Sequence, residues 1–417
     1  MTKKGLLVFT DSFPFGIGEE FFEQEVWKYE DVFDKIVIIS QRTNLDSPQT
    51  RKIPANAVAR KLEPVSNDGW LKRVLLNFPT IIGREKFISP RRWKSPANAV
   101  QDIKFAAKLL EMRKRLPLVL KAEDFEDCDE VVIYSYWFFT GVGLADAVKN
   151  HLLKDKKVTI VSRAHAYDVD EKDAPFNFIP ARPYLLSKAD IVFPISNYAQ
   201  AFLDSVKVEP KAQIEVARLG VPENTPKVRA QTSPFRIVSC SHLAPYKRVD
   251  LLLESVAELE KLGVPVRWTH IGESNPELLD AIKTKASELL SPETYEFLGY
   301  VPNEKVRKFY EQSEISLFVN VSNSEGVPVS IMEALSAGIP VLATDAGGTK
   351  ELVQEGRNGW VIPVDISPVE IAKKLQEIAA LPTSEIEQKS EMALTVWDEM
   401  ANAQKAYGTM VNRLINL

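Results

Sequence analysis

The chain alternates short apolar runs with longer stretches in which apolar residues recur every three or four positions. In the first half the runs are LLVFTD (6–11), KIVIIS (35–40), EVVIYSYW (130–137), VTIVSRAHA (158–166), DIVFPIS (190–196) and IEVARLG (214–220). In the second half they are RIVSCS (236–241), VRWTHIG (266–272), YEFLGYV (295–301), ISLFVNV (315–321), PVLATDA (340–346) and WVIPV (360–364). Most are apolar at consecutive positions, which is the pattern of parallel strands covered on both faces. Segments between them, such as VDLLLESVAELEKLG (249–263), carry helical spacing. The alternation predicts βαβ units wound into open sheets. Residues 222–234, PENTPKVRAQTSP, are polar, rich in proline and without period, and read as an interdomain linker. The expected class is therefore α/β. A Rossmann-like, doubly wound domain is expected over 1–222 and a linker over 223–234. A second such domain is expected over 235–394, facing the first across a cleft, followed by an amphipathic helix over 395–417 that packs on the first domain.

Bulk properties narrow the function classes. A chain of 417 residues is long enough for two cores, and 45% hydrophobic with 26% charged residues is ordinary for a globular protein. A net charge of −5 excludes a nucleic-acid binder driven by overall basicity. Cys128 and Cys240 lie outside any CxxC spacing and read as reduced, buried thiols. After MTKK the apolar stretch is too short for a secretory h-region, and no apolar run approaches bilayer length. The expected location is cytoplasmic.

One unit carries candidate chemistry. In SNSEGVPVSIMEALSAGIPVLATDAGG (322–348), Glu325 follows a strand and Pro328 suits a first helical turn. Gly338 suits the position after the helix, and Pro340 prevents its continuation. Glu325 thus sits at the carboxyl end of a strand, where open α/β sheets bind ligands, beside a helix N-terminus that favours a diphosphate. Glu333 falls about five residues into that helix, roughly 7 Å along its axis. The pair either brackets a ligand shaped as ribose–diphosphate–hexose, or is a loop carboxylate and a solvent-facing helical one.

The same segment resembles the donor-site signature of the family 4 glycosyltransferases, retaining enzymes of GT-B fold from bacterial surface-glycan biosynthesis. The signature is a Glu, seven residues, a second Glu, then a strand and Gly-Gly. The resemblance covers most of the second half and is weaker in the first. It implies that Glu325 contacts the transferred sugar and Glu333 the nucleotide ribose. It also implies that the backbone from Gly326 through Val327, Pro328 and Val329 to Ser330 meets the diphosphate. In SCSHLAPYKRVDLL, Lys247 would neutralise the leaving nucleotide. The family has Arg five residues before this Lys, where this chain has His242, and an imidazole carries charge only below about pH 6.5 unless perturbed. Leaving-group stabilisation then rests on His242 held protonated by the diphosphate, on help from Arg248, or mainly on Lys247. Backbone groups near Gly272, Tyr300 and Val301 would hold the base.

In the first half, Gly16 and Gly18 follow the first strand. No third Gly and no acid at the end of KIVIIS complete a dinucleotide fingerprint. By resemblance this loop approaches the donor. Glu19 and Glu20 are either acceptor-facing or solvated carboxylates. His165, at a strand's carboxyl end, matches a family His near the reacting sugar. Asp168-Val-Asp170 is a D-x-D read as surface or acceptor-binding rather than metal-binding, and Asp127-Cys-Asp129 as a solvated turn. Residues 70–94 hold Lys72, Arg73, Arg84, Lys86, Arg91, Arg92 and Lys94 against Glu85, interleaved with Trp70, Phe78, Phe87 and Trp93. They suit an anionic membrane surface or a lipid-diphosphate acceptor, or else form a helical insertion whose apolar residues pack inward.

The expected activity is retaining, metal-independent and cofactor-free transfer of a hexosyl group. The donor is a nucleotide-diphosphate sugar, UDP favoured, and the acceptor a hydroxyl of a glycan, glycolipid or glycoprotein. Nucleic acid is not expected as a partner. A non-catalytic sugar-nucleotide-binding subunit of a transferase, a GT-B phosphorylase and a nucleotide-sugar epimerase remain the other readings.

Overall fold

The computed structural model describes residues 2–66, 68–83, 87–172, 174–274 and 276–417. The chain divides into two compact units, Met1–Arg218 with Tyr407–Leu417, and Leu219–Ala406.

The first unit holds a sheet of β1 (Lys4–Thr10), β2 (Lys35–Ser40), β3 (Ala57–Lys61), β4 (Glu130–Ser135), β5 (Lys157–Ala164), β6 (Ile191–Pro194) and β7 (Gln213–Ile214). Its order is β3-β2-β1-β4-β5-β6-β7, with every pair parallel. Strand periodicity explains the consecutive apolar runs. Leu7, Phe9, Val37 and Ile39 point into one core, whereas Leu6, Val8, Ile36 and Ile38 point into another that includes Met410, Val411 and Leu414. Covered on both sides, such strands have no polar face to show in the sequence.

The second unit holds β8 (Phe235–Cys240), β9 (Val266–Ile271), β10 (Tyr295–Phe297), β11 (Leu317–Asn320), β12 (Val341–Thr344) and β13 (Gly359–Ile362). Its order is β10-β9-β8-β11-β12-β13, again parallel. Ile237, Leu317, Val319 and Leu342 form its core with Leu252, Leu253, Val256 and Leu259 of the helix Val249–Lys261. In both sheets the strand order reverses beside the first strand of the unit, between β1 and β4 and between β8 and β11. That is the switch point where open α/β sheets take ligands. Two doubly wound, Rossmann-like units are what the pattern predicts.

Three local expectations change. β3 is absent from the predicted strands: it is an edge strand, half-buried throughout, and its AVARK sequence mixes small and charged residues. The helix expected over 395–417 is instead the end of Thr383–Met400 and a separate helix, Ala403–Ile415. The two part at Ala401, which leaves helical ψ at φ −140° and ψ 13°, and Asn402 accepts from the Gln404 amide to start the next turn. The 223–234 segment is not a free linker. Arg229 is buried and donates to the carbonyls of Ala337, Ser313 and Tyr310, tying the segment into the second unit.

Candidate active site

The loop after β11 and the helix Val329–Ser336 form the centre of the second unit's switch point. Pro328 opens this helix without any side-chain cap. The Ile331 amide donates to the Pro328 carbonyl at 3.1 Å, no side chain caps the amides ahead of it, and the positive end of the helix lies at the loop. Glu325 lies just before it. Its Oε1 accepts from Lys247 Nζ at 2.6 Å and from Asn320 Nδ2 at 3.2 Å. Both side chains of the ion pair are mostly shielded, 17% and 7% exposed. A cation and a carboxylate are thus held together at the mouth of an uncapped helix.

Glycines fix this loop. Gly347 has φ +55°, and a Cβ there would lie 1.6 Å from the Glu325 carbonyl oxygen. A Cβ on Gly348 would lie 2.5 Å from the Gly326 carbonyl, which accepts the Gly348 amide at 2.8 Å. The Gly-Gly pair after β12 is needed because the backbone of 325–326 passes directly over it.

Glu333 is the fifth residue of the helix and only 5% exposed. Asn303 Nδ2 donates to its Oε1. Burial raises its carboxyl pKa above the usual range, opposed by the Asn303 hydrogen bond and the Arg307 charge. It is not a solvent-facing helical carboxylate. The nearby Cys240 thiol is pushed up to about 12 by burial, with the Glu333 charge adding, so it is a neutral thiol at physiological pH.

Lys247 closes a single turn, Pro245–Lys247, and Arg248 follows in the left-handed region at φ 49° before the helix Val249–Lys261. Arg248 Nε donates to the Val321 carbonyl and its Nη1 to the Val364 carbonyl, each at 2.6 Å. Two of its donors therefore brace the loops after β11 and β13. His242 is exposed more than Lys247, and its Nδ1 lies 3.1 Å from the Glu273 carbonyl. Gly272 has φ +118°, and a Cβ there would sit 2.1 Å from the Ser241 carbonyl; its amide donates to Gly299 at 2.8 Å. The loops carrying His242, Gly272 and Gly299 are consequently laced by backbone. Tyr300 is 70% exposed and Val301 half-buried beside them. Asn320 and Asn303, which orient the two glutamates, are absent from the predicted set. The polar Asn320 ending the apolar strand LFVN is the signal that could have found it.

The first unit places its own residues separately. Glu19, expected to face an acceptor or solvent, does neither. It is buried at φ 60°; its Oε1 accepts from the Asp11 amide and Trp137 Nε1, and its Oε2 from the Ser12 and Phe13 amides. It clamps the loop that bears Gly16 and Gly18. Arg51 Nη2 donates to the Gly16 carbonyl at 2.6 Å, Gly18 takes φ +92°, and Ile17 at the tip is 95% exposed. Glu20 accepts from the Gly18 amide at 3.0 Å.

Asp168 is likewise no surface residue. It is 1% exposed and accepts from the Phe138 and His165 amides, and Asp170 accepts from the Tyr198 hydroxyl at 2.6 Å. Protein donors satisfy both carboxylates of the D-x-D. His165 is buried with its ring 4.4 Å from Trp137, and neither ring nitrogen has a hydrogen-bond partner among the described residues. Two residues earlier, Arg163 forms a fully buried ion pair with Glu25 at 2.8 Å, which anchors the end of β5. Among the described residues, no cluster of three or more His, Cys, Asp or Glu is arranged to hold a metal.

In 70–94, Arg84, Glu85 and Lys86 lie outside the described residues. Phe87 is fully buried against Tyr184, and Trp93 donates to Asp102 at 2.7 Å, so these two aromatics belong to the packing. The helix Trp70–Ile81 differs: Leu71, Leu75, Leu76 and Phe78 are exposed.

Residues 221–393, most of the second unit, match the family model for glycosyl transferases group 1. The resemblance read from the sequence is borne out. The chain is 26% identical over 253 residues to WcaL of Escherichia coli strain K12, whose name assigns it to colanic acid biosynthesis as a glycosyltransferase; the match covers 59% of this chain and 61% of WcaL. It is 28% identical over 243 residues to the amylovoran biosynthesis glycosyltransferase AmsK of Erwinia amylovora, covering 54% and 57% of the two chains. The chain thus spans about three fifths of the length of these relatives. Among solved structures, HepE of Anabaena in complex with UDP superposes with a TM-score of 0.69 at 15% identity, over 99% of this chain and all of that one. Sucrose-phosphate synthase of Thermosynechococcus elongatus does so at 0.69 and 13%, over 98% of each. These two likenesses concern the fold.

Proposed function

We propose that the chain transfers a hexosyl group from a UDP-sugar to a hydroxyl of a glycan or lipid-linked acceptor, with retention of anomeric configuration and without a metal. The observation that carries this reading is the arrangement in the second unit. A shielded Lys247–Glu325 pair stands at an uncapped helix N-terminus, with buried Glu333 one turn further in. The helix end and Lys247 would meet the diphosphate and supply the positive charge that a metal otherwise brings. Glu325 would accept from the sugar hydroxyls and Glu333 from the ribose diol. UDP is favoured over other nucleotides because the fold neighbour HepE was solved with UDP.

No carboxylate stands out as a nucleophile. The acceptor hydroxyl would attack on the face from which the nucleotide departs, and the departing phosphate oxygen would take its proton. The relatives' names, colanic acid and amylovoran biosynthesis, support a surface-glycan pathway. The exposed apolar helix in the first unit supports a peripheral position on the inner face of a membrane.

The test is calorimetry with UDP and GDP in EDTA on wild type and Glu333→Ala. UDP should bind without metal, and the variant should bind about tenfold or more weakly, since a hydrogen bond to a charged group is worth roughly 1.5–3 kcal/mol. Binding that needs a metal, or that ignores the substitution, would overturn the assignment of the site. Proton NMR of the first-formed product reads the anomeric outcome.

A further inference from the structure

The first unit contains a cavity of about 780 Å³, within the range of small-molecule sites. Its residues come from five separate stretches between Gln41 and Pro180. Four of them are cationic: Arg42, Arg73, Lys104 and Lys108; among the described residues none of the lining is acidic. Like charges gathered round one space repel each other, and such a gathering is stable where an anion completes it.

Three of the cations are held in place by contacts. Arg73 donates to the backbone carbonyls of Asp68 and Ser66 at 2.7 and 2.6 Å. The Lys104 ammonium stands 4.8 Å over the Trp70 ring. Arg42 pairs with Asp11 at 3.1 Å. Lys108 is half-buried; burial and the Arg42 charge pull its pKa below the usual lysine value, Asp11 opposes them, and Arg73 lowers it further. The rest of the wall is apolar: Phe105, Phe139, Phe178 and Ile179. Trp70 and Arg73, three residues apart, turn one side of the helix Trp70–Ile81 to the cavity. Leu71, Leu75, Leu76 and Phe78 leave its other side exposed.

We infer that this cavity binds the diphosphate of a lipid-linked acceptor, with the four cations on the phosphates and the aromatic wall along the first carbons of the chain. It takes the word acceptor from the transferase reading; the anion site itself stands on the cavity alone.

The probes are geranyl diphosphate, inorganic pyrophosphate and geraniol, titrated calorimetrically into the full chain. The variants are Lys104→Gln with Lys108→Gln, and Arg42→Gln alone in case the double variant does not fold. UDP binding is measured on every variant as the control for fold and for the donor site. Geranyl diphosphate should bind at least tenfold more tightly than pyrophosphate, geraniol should give no measurable heat, and saturating UDP should not compete. The double variant should lose at least tenfold for geranyl diphosphate, and Arg42→Gln about threefold or more, with UDP affinity unchanged in both. Equal affinity for pyrophosphate would make this a site for free phosphate and overturn the lipid assignment. Competition by UDP, or indifference to both variants, would overturn the site altogether. Absence of UDP binding by the wild type would remove the donor reading while leaving the cavity result legible.

Discussion

Glu333 is an acid kept under cover, and its environment sets a pH dependence. Burial raises its folded pKa above the unfolded value, so ionising it costs stability, and that cost is fully present only above the raised pKa. A ribose diol needs the ionised form as acceptor. UDP affinity should therefore fall as pH is lowered from neutral through the raised pKa, and the Glu333→Gln variant should bind more weakly with a flatter profile; calorimetry between pH 4.5 and 7.5 reads both. In the proposed reaction Lys247 would act on charge that develops as the nucleotide leaves. Lys247→Ala should lower kcat by about 10²–10³, as loss of one such group generally does, with a smaller effect on UDP affinity. Asp11 offers a test of sign in the first unit. Its pKa is raised to about 6, chiefly by burial, with Arg42 and Lys108 opposing and Glu19 and Asp168 adding. Ionisation thus penalises the fold as pH rises from about 4 to 6 and beyond. Asp11→Asn should stabilise the protein by about 1–3 kcal/mol at pH 7.5, and the gain should vanish near pH 4 in urea titrations.

At the scale of elements, the loops matter more than the strands they follow. Gly347→Ala would drive a methyl into the Glu325 carbonyl in a backbone conformation that already disfavours a side chain. The expected result is loss of UDP binding by more than tenfold with the far-ultraviolet dichroism little changed. Which features the sequence showed follows from how locally each is encoded. The buried strands were legible because two covered faces leave an unbroken apolar run. The edge strand β3 was not, since AVARK has neither the run nor the alternation. Glu325 and Glu333 were legible because both lie on one short segment whose whole sequence resembles a family signature; their spacing alone left open a loop carboxylate and a solvent-facing helical one. Glu19 was not: its partner Trp137 is 118 residues away, and a glutamate beside glycines looks solvated until the fold closes round it. The cavity's cations come from three separate segments, carrying Arg42, Arg73, and Lys104 with Lys108, and share no motif. The break at Ala401–Asn402 carried no proline or glycine to announce it. The one strong local signal, the polar segment 222–234, marked a real irregularity, but Arg229 stitches it into a unit rather than leaving it to span two.

At the scale of the whole molecule, charge and apolarity are unevenly distributed. The chain carries a net charge of −5, yet Lys72, Arg73, Arg91, Arg92 and Lys94 fall within one short region. In that region the helix Trp70–Ile81 exposes Leu71 at 61%, Leu75 at 76%, Leu76 at 68% and Phe78 at 51%. Among the described residues no helix is long and apolar enough to cross a membrane, so any attachment through this face would be interfacial. Four such side chains moved from water into the acyl boundary gain on the order of 5 kcal/mol, and neighbouring lysines and arginines add about 1 kcal/mol each near an anionic surface. The two terms can be separated. Vesicles rich in phosphatidylglycerol should retain the protein in sedimentation, phosphatidylcholine vesicles should retain far less, and raising salt should weaken the first interaction more than the second. Leu75→Glu with Leu76→Glu should abolish retention on both vesicles, while UDP affinity and the urea midpoint stay as in wild type, because neither leucine contributes to a core. Retention that survives this double substitution would place the contact elsewhere on the molecule. Loss of retention together with loss of turnover on a membrane-borne acceptor, but not on a short soluble one, would show that the helix delivers the enzyme to its substrate rather than taking part in the chemistry.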